Sequence, residues 1–125
     1  MARVVHFEVH ASDPERAARF YESVFEWRFN HIAAIDYWTI STGEGPGIDG
    51  GMLRRRGDPP ALGQAVNAHI CNIGVDDLSA TMDAAIEAGA TIALPRMAIP
   101  NTGHVAYLVD TEGNIFGVFQ DDPKA

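Results

Sequence analysis

The sequence predicts an α+β fold in which two βαβββ modules form a curved eight-strand sheet around a cleft. Three observations carry that expectation. A strand pattern runs straight into an amphipathic helix over Val4 to Trp27, and three more short strand patterns follow it. Beyond a proline-rich linker the same order begins again, strand–helix–strand–strand–strand. An offset of 64 residues superposes the copies, pairing Asp13 with Asp77, Ala18 with Met82 and Tyr21 with Ala85. The expected modules are residues 1–58 and 64–125 of a single domain.

The opening strand sets the orientation of everything else. Phe7 and Val9 alternate with His6, Glu8 and His10, the period of a half-buried strand. In the helix, Ala17, Phe20, Tyr21, Val24 and Phe25 make one apolar stripe. Ser12 or Asp13 can cap it, and Pro14 suits the first turn, where its missing N–H costs nothing. The helix is therefore expected to cover Phe7 and Val9. His6, Glu8 and His10 then face the enclosed hollow.

Trp27 to Ile32 and Tyr37 to Thr42 read as the next strands, with Ala33 to Asp36 as the reversal. The glycine-rich passage Gly43 to Gly51 must turn sharply, but it lacks a Gly-Lys-Ser/Thr ending and no helix follows, so it is no phosphate cradle. Met52 to Arg56 reads as a strand and Gly57 to Gly63 as the linker, its Pro59-Pro60 excluding helix and ladder alike. In the second copy Ala68 to Val75 is a strand, Asp76-Asp77 a cap, and Leu78 to Ala88 a helix closed by Gly89. Thr91 to Leu94, His104 to Val109 and Ile115 to Phe119 complete the strands, the last two joined by a tight turn at Asp110 to Asn114. Two half-sheets, each helix-covered on one face, are expected to line a shared cleft with their other faces, and such concave junctions favour small molecules.

Bulk properties narrow the function. The chain has 125 residues and a net charge of −8, which argues against nucleic acid, whose phosphates demand clustered Lys and Arg. The one basic run, Arg54 to Arg56, reads as a solvated strand end rather than an anion site. No stretch approaches the roughly 20 apolar residues that span a bilayer, and the N-terminus lacks the pattern of a signal peptide. A single cysteine excludes an internal disulfide and fits a reducing compartment, so a cytoplasmic location is expected. Cys71 itself reads as a small buried apolar residue.

Three motifs carry a family resemblance: Asp13 to Trp27 (DPERAARFYESVFEW) after the opening strand, Val75 to Leu78 (VDDL) and Asp110 to Gly117 (DTEGNIFG). With them the chain resembles the vicinal oxygen chelate superfamily, which includes glyoxalase I, bleomycin- and fosfomycin-resistance proteins and extradiol dioxygenases. It is most similar to small bacterial proteins related to lactoylglutathione lyase. The resemblance implies the fold and does not name a reaction, because this fold hosts many chemistries. It also implies a homodimer.

Metal-dependent members of that superfamily hold a divalent ion with side chains from the first and last strands of each module, typically two His and two Glu. Here His6 matches the first ligand position, but the 64-residue offset carries it to Ile70. The DTEGNIFG motif ends on Gly117, where the resemblance calls for a carboxylate, and the remaining position falls within Gly50 to Leu53, which hold neither carboxylate nor imidazole. One ligand of four survives, so no metal and no other cofactor is expected. His69 neighbours Ile70, yet side chains alternate across a sheet, which places it with Cys71, Ile73 and Val75 under the helix unless a bulge intervenes. His6 and His10 cannot share an ion, since four strand residues span about 13 Å.

The remaining acid–base equipment is His6 and Glu8, the candidate catalytic pair, because a carboxylate beside an imidazole sets up proton transfer near neutral pH. His10, Tyr37, Trp38 and Tyr107 are the candidate substrate-binding residues, the aromatics as walls for a flat or apolar ligand. The loop Asn101-Thr102-Gly103, between Pro100 and a solvent-facing His104, is a candidate lid. Two functions follow. One is a metal-independent lyase or isomerase acting on a small oxygenated metabolite. The other is a binder that sequesters an antibiotic or metabolite, as bleomycin-resistance proteins do; the acidic charge would favour a cationic ligand there.

Overall fold

The computed structural model describes residues 2–67 and 69–125. Its elements run β1 (Arg3–Ala11), α1 (Pro14–Phe25), β2 (Arg28–Ile32), a 3₁₀ turn (Ala33–Ile35), β3 (Tyr37–Ser41), β4 (Gly50–Arg54), β5 (Ile70–Gly74), α2 (Leu78–Glu87), β6 (Thr91–Ile99), β7 (Gly103–Val109) and β8 (Ile115–Asp121). The eight strands form a mixed sheet in the order β2-β3-β4-β1-β5-β8-β7-β6. The chain divides into two compact units, His6–His69 and Ile70–Ala125, and residues 1–5 at the start of β1 go with the second. No helix of the described residues is long and apolar enough to cross a membrane.

In the unit His6–His69, β1 lies parallel to β4, and β3 runs antiparallel between β4 and β2. Asp13 caps α1 by accepting from the Arg16 amide at 3.1 Å, and Pro14 occupies the first turn. The helix covers one sheet face, where Phe7, Val9, Ala11, Ala18, Trp38, Ile40 and Met52 form the core and Tyr21 and Phe29 pack against it. The register explains the membership. Val9, Met52 and Trp38 stand side by side on adjacent strands, as do Phe7, Gly50 and Ile40. The intervening residues Glu8, Gly51 and Thr39 must then point to the other face.

Strand β4 begins two residues earlier than the sequence pattern suggests, because Gly50 and Gly51 pair with Phe7 and Glu8 instead of belonging to the turn. Glycine weakens a strand, but here each one leaves room for a neighbour. A Cβ on Gly50 would stand 2.6 Å from the Phe7 ring. The sharp turns of the glycine-rich passage fall earlier, at Gly43, Gly45 and Gly47, all with positive φ.

In the unit formed by Ile70–Ala125, Leu78, Ala106, Leu108 and Val118 make a separate core, with Val75, Met82, Ala85 and Phe116 against it. Asp77 caps α2 through the Ala80 amide at 3.0 Å, and Gly89 takes the positive φ expected after the helix. The turn Asp110 to Asn114 closes on the Asp110 carboxylate, which accepts from the amides of Glu112 and Asn114; these bonds hold its pKa below the usual carboxylate range.

Three expectations need correction here. Strand β6 runs on to Ile99 rather than stopping at Leu94, with irregular register on either side of Leu94 keeping it in the ladder. Cys71 is exposed, since the core under α2 begins only at Val75, four residues further on. The expected start of β5 at Ala68 lies outside the described residues. The loop at Asn101 is tied down rather than free. Its Asn101 amide donates to the Ala125 carbonyl and its Thr102 carbonyl accepts from Asp122, while His104 is mostly buried beside the Asp122 carboxylate at 3.2 Å.

Candidate functional site

The face of the N-terminal unit turned away from α1 carries His6, Glu8 and His10 on β1, Gly51 and Leu53 on β4, and Tyr37 and Thr39 on β3. Its centre is a chain of hydrogen bonds. The Tyr37 hydroxyl donates to Glu8 Oε2 at 3.0 Å, and the Tyr37 hydroxyl oxygen lies 2.9 Å from His6 Nε2. Because the phenolic hydrogen points to the carboxylate, the imidazole presents Nε2–H to the phenolic oxygen and keeps its lone pair on Nδ1. Glu8 is only 5% exposed, a buried charge that this donor helps to satisfy.

Gly51 makes the arrangement possible. It sits opposite Glu8 on one side and Thr39 on the other, and a Cβ there would lie 1.6 Å from the Tyr37 hydroxyl oxygen. Tyr37 is registered two residues away, opposite Leu53, so its ring leans diagonally along the sheet to reach this gap.

Burial lowers the pKa of His6 from its ordinary value, against the pull of Glu8 and Asp49, so the imidazole is neutral at pH 7. His10, two residues along the same face, is also lowered, first by burial and then by Arg55 and Arg56, with Glu8 opposing. Asp49 is itself engaged, accepting from the Thr42 amide at 2.9 Å and from the Thr42 hydroxyl at 3.2 Å.

The structure thus brings His6, Glu8 and Tyr37 into contact and places His10 beside them. Trp38 does not join. One residue after Tyr37, it points to the opposite face and is 4% exposed in the core, its ring stacked on His31 at 4.0 Å with the Arg54 guanidinium 5.4 Å from its centroid. Asp36 clamps both of those neighbours, 3.0 Å from His31 and 3.0 Å from Arg54, and both bonds hold its pKa down. Tyr107 belongs to the other unit, opposite Gly117, where its ring edge would lie 3.1 Å from a Cβ on that glycine. His69 lies against Phe7 and Tyr21, with ring centroids 5.5 and 6.4 Å away.

A family-type metal chelate does not fit the residues present in either unit. In the N-terminal one, Tyr37 fills the space that a ligand side chain at Gly51 would need. In the C-terminal one, the Asn72 amide oxygen would lie 1.9 Å from a Cβ on Gly117, and Ile70 offers no donor. Among the described residues no group of three or more His, Cys, Asp or Glu is placed to hold an ion. The two units echo each other: Glu8 stands opposite Gly51, and Asn72, 64 residues later, stands opposite Gly117. Asn72 is also buried, and its Oδ1 has no hydrogen-bond partner among the described residues.

Neither the bridging role of Tyr37 nor the gap at Gly51 can be read from composition or periodicity. Both depend on the β3–β4 register, and the only sequence signal was a glycine pair at the head of a strand.

This eight-strand mixed sheet with two helices defines a protein of the vicinal oxygen chelate superfamily. Within that class the chain belongs to the family described as the glyoxalase-like domain, whose model matches residues 5–119. A glyoxylase-like domain-containing protein of Didymella fabae is 31% identical over 117 residues, covering 89% of this chain and 88% of its own. A glyoxalase/bleomycin resistance protein/dioxygenase superfamily member from Vibrio splendidus superposes with a TM-score of 0.67 at 18% identity, over 97% of this chain and all of that one. Methylmalonyl-CoA epimerase from Mycobacterium tuberculosis gives a TM-score of 0.67 at 12% identity, over 96% of this chain and 88% of its own. At such identities the solved structures show a shared fold and nothing about a shared reaction.

Proposed function

We propose that this protein is a metal-independent enzyme of the lyase or isomerase type acting on a small oxygenated metabolite, with His6 and Glu8 as its acid–base pair. The single observation that supports the reading is the chain of hydrogen bonds from His6 through the Tyr37 hydroxyl to buried Glu8. His6 Nδ1 takes a proton from the carbon beside a substrate carbonyl. The positive charge that forms on the imidazole is stabilised by Nε2–H on the phenolic oxygen, whose own proton is held by the Glu8 carboxylate. The same nitrogen then returns the proton to a different atom. A carboxylate that orients and stabilises an imidazolium without being protonated follows the logic of serine-hydrolase triads, and proton transfer of this kind contributes about 10²–10⁴-fold to rate.

The test is hydrogen–deuterium exchange at the carbon beside the carbonyl of hydroxyacetone and related α-hydroxy carbonyls, followed by proton NMR in D₂O. Catalysed exchange is expected, falling about 100-fold in Glu8→Gln and in Tyr37→Phe. Tight binding of a ligand without exchange would instead favour the sequestering binder.

We also propose that the protein is cytoplasmic and pairs as a homodimer through α1. Phe20 and Val24 are more than half exposed at positions where the second copy has Ala84 in α2 and Ala88 at its C-cap, so the fold does not require them to be large. Arg16 and Arg19 precede Phe20 and Glu22 and Glu26 follow it, so two antiparallel copies oppose unlike charges. Light scattering should give twice the chain mass, reduced to one chain in Phe20→Ser.

A further inference from the structure

The basic run at the end of β4 divides into three different environments. Arg54 points to the helix side and is paired with Asp36. Arg56 is exposed. Arg55 is half-buried on the other face, where its Nε donates to Ser12 Oγ at 3.0 Å and its Nη2 to the His10 carbonyl at 2.9 Å. Both acceptors are neutral. Among the described residues neither Arg55 nor Arg56 has a carboxylate within ion-pair distance, although the chain carries 17 acidic residues against nine Lys and Arg.

That is an unusual state for a half-buried guanidinium. A charge removed from water normally finds a counter-charge, and this surface has carboxylates to spare. Instead, two hydrogen bonds to neutral oxygens hold the fork in place, and among the described residues Nη1 has no hydrogen-bond partner. The alternation along β4 puts Arg55 on the face that carries Gly51 and Leu53, opposite Glu8 and His10. The imidazole of His10 lies within electrostatic reach of both arginines.

Building on the reading of His6, Tyr37 and Glu8 as the reactive centre, we infer that Arg55, His10 and Arg56 form the site for an anionic group at the far end of the substrate. The recognised chemistry is a carboxylate or phosphate, whose paired oxygens match the planar fork of arginine. Strand rise sets the length of such a substrate. His10 is about 13 Å from His6, the proton-abstracting residue, along the strand, and Arg55, level with Ser12, is about 20 Å from it. The ligand class is therefore an extended carbonyl compound with its acid group about 13–20 Å from the carbon that exchanges its proton. This departs from the solvated strand end that the sequence suggested for the basic run. It also runs against the cationic ligand that overall charge alone favours.

The experiment is a titration of the full chain with inorganic phosphate and, separately, with acetate, followed through the ring carbon–proton signals of His10 and His6. A saturable shift of the His10 signal is expected at about 1 mM anion, weakened about tenfold in Arg55→Gln because a charge-assisted hydrogen bond is lost. Whichever of the two anions binds more tightly identifies the group as phosphate or carboxylate. The shift should survive in Tyr37→Phe, so anion binding is read without turnover and its failure is distinguishable from failure of the proposed reaction. No saturable shift with either anion would overturn the assignment, as would equal affinity in a folded Arg55→Gln variant. Should that variant not fold, Arg55→Lys replaces it: a few-fold weakening supports the forked contact, and unchanged affinity removes Arg55 from the site.

Discussion

The hydroxyl of Tyr37 occupies the space in which the side chain of residue 51 would begin, and residue 51 is glycine. The phenol could not otherwise bridge His6 and Glu8, because an ordinary Cβ would stand 1.6 Å from its oxygen. The absence of a side chain on β4 therefore decides the chemistry of a side chain on β1.

Gly51→Ala tests that relationship directly. The methyl group must push the end of the Tyr37 side chain away and break both of its hydrogen bonds. Overpacking of this kind costs about 1–3 kcal/mol, and because Tyr37 can swing aside the lower half of that range is expected. Urea denaturation should show a folded, slightly weakened protein, while deuterium exchange falls as far as it does in Tyr37→Phe. An alanine variant with undiminished exchange would remove Tyr37 from the reaction.

The two depressed histidines predict a pH dependence with a definite sign. His6 and His10 both have folded pKa values below the ordinary 6.5, first because of burial. Below about pH 6.5 the unfolded chain takes up protons that the folded protein resists, so stability is full above that pH and declines as pH falls through the folded values. Catalysed exchange should lose its neutral His6 base over the same acidic window. NMR titration should place the His6 midpoint below 6.5, and a midpoint above it would contradict the desolvated site.

Trp38→Ala separates core from ligand wall. The indole is buried with Val9 and Met52 beneath α1, so its removal should cost about 3–5 kcal/mol, as large aromatic deletions in cores do. Affinity for small ligands, measured in the fraction that remains folded, should hold. A well-folded Trp38→Ala protein with lost affinity would return the residue to the binding site.

Asn72→Leu makes the opposite kind of prediction. The buried Oδ1 has no partner among the described residues, and such a group costs about 1–3 kcal/mol. An apolar side chain of similar size should raise stability by about 1 kcal/mol, read as a higher urea midpoint with an unchanged slope. A destabilised variant would mean that the amide is satisfied by an ordered water that the substitution expels.

Much of the fold is legible in the chain because it depends on local chemistry. The alternation of Phe7 and Val9 with His6 and Glu8, the Asp13-Pro14 and Asp77 caps, and the Asp110 to Asn114 turn each act within a few residues. Their repetition after 64 residues then implies the paired strand–helix order. What escaped was set by registration between strands distant in sequence. Gly50 and Gly51 read as turn residues, because nothing local reveals that Phe7 and Tyr37 need the room they leave. Trp38 and Tyr37 looked alike as aromatics on one strand, and only pairing with β4 sends one to the core and the other to Glu8. Arg55 looked like one of three equivalent charges until its guanidinium was found between Ser12 and the His10 carbonyl.

By itself, then, the sequence determined the elements, their order and the placing of His6 and Glu8 on one face of the opening strand, since periodicity, caps and turns are properties of short stretches. Tertiary structure alone decided that a phenol joins those two residues, that Trp38 belongs to the core, and that the half-buried Arg55 has no carboxylate partner among the described residues. The physical reason is that hydrogen bonds and close contacts across a sheet depend on register, and a shift of one residue reverses the face that every side chain occupies.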